Sequence, residues 1–333
     1  MRAKRGPQVV SASSYPKCRL NVEGNVNAPQ QSASLQSGVA LAARRRGISI
    51  HLVPWIFLAP AVIVFGIYVI IPVFQSFWLS LFDWDGLSPT KKFIGVSNYT
   101  QLFQDEQFWT SLKNNVYWLV LFLLGPVIGL AIAIFLNQKV RGMRIVKSLF
   151  FFPFVLSGVV VGLVFSWFYE PSHGLLNTIL GIFRIPPISP LSDEHLVTPS
   201  IIAAGLWPQI AYCMILYLTG LTAVDPEQIE AARIDGARGL KLLWHVIIPQ
   251  LRPATFIAVV VTVIGALRSF DLVQVMTDGG PFGSSSILAY FMFQQSITNF
   301  RMGYGAAIAV VLFLIMSVFI AFFLRHMIRN ERR

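Results

Sequence analysis

Six stretches of this chain run for twenty residues or more with almost no charge, and their spacing dictates most of what it can become. Residues 52–82, 114–138, 148–169, 196–224 and 302–324 contain no Asp, Glu, Lys or Arg, and 254–277 contains only Arg268 and Asp271. A helix needs about 20 apolar residues to cross the hydrocarbon of a bilayer. Helices are the expected form, because in lipid each satisfies its own backbone hydrogen bonds. The expected fold is all-α and membrane-embedded over 51–328, with spans at about 55–80, 115–137, 148–169, 199–223, 254–277 and 303–324. Composition agrees: 55% of the chain is hydrophobic and 12% charged, about half the charged share of a soluble domain.

The net charge of +11 does not point to nucleic acid, because the basic residues lie in short segments between apolar runs. Such segments mark the cytoplasmic side. The second connection carries Lys139, Arg141, Arg144 and Lys147, and the fourth carries Arg233, Arg238, Lys241 and Arg252. Arg325, Arg329, Arg332 and Arg333 close the chain, and Arg44, Arg45 and Arg46 precede the first run. Both termini are therefore expected inside, with 329–333 a basic tail. Residues 1–50 are polar and aperiodic and read as a disordered cytoplasmic tail, a dispensable extension or a regulatory contact. The first run lies too far from the start for a usual cleaved signal peptide and reads as an uncleaved helix.

Small residues recur four apart at Gly125/Gly129 and Gly158/Gly162, a spacing that lets helices approach closely. Pro126, Pro153 and Pro208 lie inside spans and are expected to kink or unwind them. Cys18 and Cys213 are the chain's two cysteines, and no metal cluster is expected from them.

The most informative segment is the loop 225–253, read as cytoplasmic. Asp225 can cap a helix, Pro226 suits its first position, Gln228 stands where a capping box wants it, and Gly236 can end it in a left-handed turn. Ile229, Ala232, Arg233 and Gly236 share one face at three-to-four spacing, and that shallow face suits a groove on another protein. A second short helix fits 240–246, until Pro249 and Pro253 break it. The segment Glu230-Ala231-Ala232, then Gly236, then Val246-Ile247-Ile248-Pro249 resembles the EAA loop of the membrane subunits of binding-protein-dependent ABC importers. Val and Ile replace the family's Ile and Leu in the last element. The fifth span and its outer loop, through Asp278-Gly279-Gly280-Pro281, look like the carbohydrate-type permeases of that family, for maltose-like oligosaccharides or glycerol-3-phosphate. The resemblance covers about residues 55–324 and leaves the tail unexplained.

That resemblance implies a type I importer permease in a bacterial or archaeal cytoplasmic membrane. Its partners would be a second homologous permease, two ATPase subunits and an extracytoplasmic solute-binding protein. It also implies that Glu230, Ala231, Ala232, Arg233, Asp235 and Gly236 couple the spans to the ATPase. No Gly-x-x-x-x-Gly-Lys-Ser/Thr phosphate loop occurs in the sequence. The chain is therefore expected to be non-catalytic and to bind no cofactor, with ATP and Mg held by the partner.

Polar groups inside spans are costly and mark candidate sites. Arg268 and Asp271 lie three apart and read as a gate or as an internal ion pair. Trp207, Gln209, Tyr212 and Tyr217 offer the aromatic faces and amide groups a sugar ring needs, and Gln294 adds similar chemistry near the outer end of the sixth span. Two readings compete with the sugar importer. One is a glycerol-3-phosphate or polyol importer, which would want several basic groups on the path. The other is a secondary transporter driven by an ion gradient, for which Asp271 is the one carboxylate inside a span.

Overall fold

A computed structural model describes Trp55 and residues 57–331, with 139 excepted. The N-terminal tail, Arg44–46, Cys18, Lys139, Arg332 and Arg333 lie outside the described residues. The division between two compact units falls between Tyr68 and Val69.

In chain order the elements are α1 (Phe57–Leu79), a short antiparallel hairpin of β1 (Phe82–Asp83) and β2 (Lys92–Phe93), α2 (Ser97–Gln104) and α3 (Glu106–Leu136). Next come α4 (Met143–Val155), α5 (Gly158–Phe168), α6 (Leu175–Ile182) and α7 (Val197–Thr222). The loop helix α8 (Pro226–Ile234) precedes α9 (Leu240–Gln250), α10 (Arg252–Leu267) and α11 (Phe270–Met276). After α12 (Leu288–Phe293) a π-turn at Gln294–Thr298 leads into α13 (Met302–Glu331). By length and composition α1, α3, α7 and the Met302–Phe322 part of α13 can each cross a membrane. Two bent pairs, α4 with α5 and α9 with α10, bring the total to as many as six.

The first bend falls within the span expected at 148–169, which Pro153 is expected to kink, and the second lies just before the span expected at 254–277. α4 and α5 meet at 100°. Pro153 removes a helical donor two residues before the end of α4; Leu156 is extended, and the Ser157 hydroxyl accepts from the Val160 N–H to start α5. α9 and α10 meet at 70°, with the break at Leu251 just before Pro253. A further break at Arg268 and Ser269 separates α10 from α11. The prolines expected to kink behave differently from one another. Pro126 lacks the N–H that would reach Phe122, and the α3 ladder is interrupted at Leu123. Pro208 lies inside α7, which runs on unbroken.

α7 is the hub, touching α3, α4, α5, α10 and α11. The glycine pairs explain two of its contacts and a neighbour's. A Cβ on Gly129 would lie 2.7 Å from the Cys213 Cβ and 2.9 Å from the Met214 nitrogen of α7. A Cβ on Gly125 would lie 3.1 Å from Gln209, and those on Gly158 and Gly162 would meet Asp271 and Val275 of α11. Both glycine pairs are therefore helix–helix contact faces.

α3 begins nine residues before the expected start at 115, because Asp105 caps it by accepting from the Gln107 N–H at 2.9 Å. Its added turns carry a polar stripe that holds the 283–288 loop. Gln107 donates to the Gly283 carbonyl, Ser111 bonds Ser286, Asn114 donates to the Ser284 and Ser286 carbonyls, and Asn115 accepts from the Leu288 N–H. The Tyr290 hydroxyl donates to the Asp278 carbonyl at 2.7 Å. Burial, with Asp278 beside it, pushes that hydroxyl up to about 12, so it remains a donor at ordinary pH.

Candidate functional site

The loop helix α8 is built as its residues dictate. The Asp225 carboxylate accepts from the Glu227 N–H at 2.9 Å, and Pro226 fills the first position. Gln228 is exposed and makes no return bond to the cap among the described residues. At the other end Gly236 adopts φ +84°. The Ala237 N–H bonds the Ala232 carbonyl at 2.9 Å and the Gly236 N–H bonds the Arg233 carbonyl at 3.1 Å, the paired closure of a Schellman motif. A Cβ on Gly236 would meet nothing within 4 Å. Glycine is needed there for its backbone conformation, not for space.

The expected outward face of Ile229, Ala232, Arg233 and Gly236 is only partly free. Ile229 and Ala232 are half-buried, on the side where α8 lies against α9. Glu227, Glu230, Ala231, Arg233, Ile234 and Asp235 are exposed, Ile234 to 86%. The open surface is thus Glu230, Ala231 and Ile234 with charged flanks. α9 adds Leu240 and Trp244, both exposed. α9 also runs past Pro249 to Gln250, contrary to the expected stop. A π-turn at Leu243–Ile247 passes the Ile248 N–H to the Leu243 carbonyl, so the ladder has already shifted where the proline lacks its donor.

Gln250 is a residue the sequence reading missed. Its side-chain oxygen accepts from the Asp225 N–H at 3.0 Å. That bond ties the start of α8 to the end of α9, one residue before the bend into α10. A glutamine in a basic loop gives no signal of its own in the sequence.

The membrane-embedded candidates divide. Gln209 of α7 donates to the Thr262 hydroxyl of α10 at 2.7 Å and approaches Cys213 at 3.5 Å. Thr262 in turn donates to the Ala258 carbonyl at 2.6 Å. Tyr212 is half-buried and stacks on Phe154 at 5.1 Å and 12°. Trp207 meets Phe165 edge-on at 5.8 Å. Trp207 and Tyr212 line the side of α7 that faces the broken pair α4 and α5, whereas Gln209 faces α10 and Gly125 of α3. Tyr217 does not join them: it is 1% exposed, in the core cluster with Leu136, Met214 and Leu251. Its ring is helix packing, not a surface for a solute.

Arg268 and Asp271 do not share a helix face, since the chain breaks between α10 and α11 at Arg268 and Ser269. Both are exposed, and among the described residues no ion pair joins them. The ion-pair alternative is thereby set aside. Asp271 instead lies against Gly158 at the start of α5, so the two interrupted spans meet at their breaks. Gln294 begins the π-turn after α12 and is half-buried. It follows Phe293, whose ring meets Phe270 of α11 at 5.1 Å.

Residues 125–333 match the family model described as binding-protein-dependent transport system inner membrane component. A probable ABC transporter permease protein of Pyrococcus horikoshii is 37% identical over 281 residues, 84% of this chain and 96% of that protein. A permease protein of the multiple sugar-binding transport system of Streptococcus mutans is 31% identical, over 79% of this chain and 91% of its own. Among solved structures, a bacterial alginate ABC transporter in complex with an alginate pentasaccharide-bound periplasmic protein shares the fold. The match has a TM-score of 0.74 and 20% identity, and it covers 85% of this chain and 96% of that one.

Proposed function

Because this chain belongs to the binding-protein-dependent transport system inner membrane components, we propose that it forms half of the path of an ATP-driven importer for an oligosaccharide-like solute, with its coupling surface on α8. The observation that carries this reading is the geometry of α8. A capped, Schellman-closed helix presents Glu230, Ala231 and Ile234 to solvent on a loop that is neither a span nor part of the core. Such an exposed helical ridge with charged flanks fits a groove on another protein. That protein is an ATPase subunit, since this chain has no phosphate loop.

In this reading ATP-driven closure of two ATPase subunits displaces α8. The Gln250–Asp225 bond passes the movement to the bend at Leu251. α10 then carries it along to Thr262, eleven residues on and about 16 Å away, where Thr262 bonds Gln209 of α7. A second homologous permease faces the broken spans and completes the path. A solute-binding protein delivers the sugar from outside, and both termini lie in the cytoplasm. Trp207, Gln209 and Tyr212 supply stacking and hydrogen bonding for a sugar ring, while Arg268 and Asp271 stand at the helix breaks as gate residues. A phosphorylated solute is the poorer fit, because Arg268 is the one basic side chain within these spans.

The test is uptake of a labelled oligosaccharide into proteoliposomes holding the full chain with its copurifying subunits. Accumulation that requires both ATP and the solute-binding protein is expected. Accumulation that follows an imposed proton or sodium gradient without ATP would instead assign the chain to secondary transport.

A further inference from the structure

The outer end of α3 borders a cavity of about 670 Å³ that is lined by none of the residues proposed for the transport path. Its walls are the 110–121 stretch of α3, the turn before α7 with the first residues of that helix, and Ser284. The cavity changes character along its depth. Lys113 and Glu194 line one end, and Val116, Val120 and Leu121 line the other. Tyr117 lies between, exposed, with the Lys113 ammonium 5.6 Å from its ring centre.

Helix geometry fixes where this gradient stands in the membrane. From 116 to 136 α3 has no charged residue, a length of about 31 Å, which matches the hydrocarbon thickness. The boundary with water therefore passes near Asn115 and Val116. Lys113 stands about one turn on the aqueous side, and Val120 and Leu121 stand on the lipid side. Glu194 stands at the aqueous level too: Thr198, one turn further on, and Asn114 of α3 both donate to the Ser284 carbonyl, and in the turn that starts α7 Asp193 accepts from the His195 and Leu196 N–H groups. The cavity thus straddles the interface, polar above and apolar below, on the side opposite the basic residues Arg141, Arg144 and Lys147.

Two opposite charges line this cavity, yet among the described residues no ion pair joins Lys113 to Glu194. A ligand carrying both charges would satisfy them together. A sugar fits poorly, because it would leave the apolar end without a partner, and a free anion would meet Glu194. We infer that the cavity binds a zwitterionic phospholipid with a primary ammonium, phosphatidylethanolamine. Its phosphate lies on Lys113, its ammonium donates to Glu194, and an acyl chain follows Val116, Val120 and Leu121.

Native mass spectrometry of the full chain, purified with the subunits it assembles with and stripped of lipid, tests this. Phosphatidylethanolamine, phosphatidylcholine and phosphatidylglycerol with identical acyl chains are titrated separately. The ethanolamine lipid is expected to bind about tenfold more tightly than either of the others, the weight of one hydrogen bond to a charged group. Phosphatidylcholine has no N–H to donate, and phosphatidylglycerol has no cation. Glu194→Gln, at an exposed position, should erase the preference for ethanolamine over choline. Val120→Trp, which fills the apolar end, should weaken all three. Equal binding of the three lipids, a preference for phosphatidylglycerol, displacement by oligosaccharide alone, or an ethanolamine preference that survives Glu194→Gln would overturn the assignment.

Discussion

Replacing Gly129 with leucine is expected to destroy the packing of the membrane domain. A Cβ at that position would stand 2.7 Å from the Cys213 Cβ and 2.9 Å from the Met214 backbone nitrogen. The obstacle is the main chain of α7, which cannot rotate aside as a flexible side chain can. α7 also touches α4, α5, α10 and α11, so moving it disturbs every neighbour. Overpacking a close-packed site costs about 1–3 kcal/mol, and a backbone obstacle belongs at the top of that range. Gly125→Ala provides the contrast, because there the nearest atom is the Gln209 Cγ at 3.1 Å, which can yield. Cys213 is fully buried, so a thiol-reactive dye reports unfolding directly in a Cys18→Ser background. Gly129→Leu should label at a much lower temperature than the parent or leave no extractable protein, with Gly125→Ala close to the parent. Coincident labelling curves for all three would mean that α3 and α7 do not meet at Gly129.

The second large effect is expected at Gly236, and it should appear in transport and not in folding. A β-branched residue at φ +84° is strongly disfavoured, and the left-handed conformation costs about 1–2 kcal/mol for an ordinary residue. Gly236→Val therefore releases the bonds to the Ala232 and Arg233 carbonyls and lets the end of α8 unwind. Nothing in the membrane domain leans on that position, since a side chain there would meet open space. Uptake should fall about tenfold or more, the equivalent of about 1.4 kcal/mol, with the amount of protein in the membrane unchanged. Gly236→Asn should retain most of the uptake, because asparagine adopts the left-handed turn readily. Equal uptake by the valine and asparagine variants would separate this turn from coupling.

The spans were legible because lipid tolerates little but a long uncharged helix, and 116–136 or 302–322 can be nothing else. The glycine pairs were legible for the same reason, since small residues four apart have little other use on a lipid-facing helix. The bends were not. Pro153 marks a weak point, but the 100° between α4 and α5 is set by what packs around them. Arg268 and Asp271 would be neighbours only on an unbroken helix, and the break at Arg268 and Ser269 separates them. The early start of α3 does have a signal in the sequence. Gln107, Ser111, Asn114 and Asn115 repeat at helical spacing and form the stripe that grips the 283–288 loop. In the candidate path, Tyr217 shows why residue type alone misleads, since its aromatic ring suits a sugar face and a buried core equally well. Thr262, the partner of Gln209, was hidden because a lone threonine can satisfy its hydroxyl on its own helix.

The account stands on α8 meeting a nucleotide-hydrolysing subunit. A photo-crosslinking amino acid placed at the exposed Ala231, in the full chain within its native membrane, measures that contact directly, with the buried Ala258 as the control. A covalent adduct between Ala231 and an ATP-hydrolysing polypeptide, with a yield that changes when ATP is added and with none from Ala258, is the predicted result. An actively transporting membrane in which Ala231 yields no adduct to any ATP-hydrolysing subunit would contradict it.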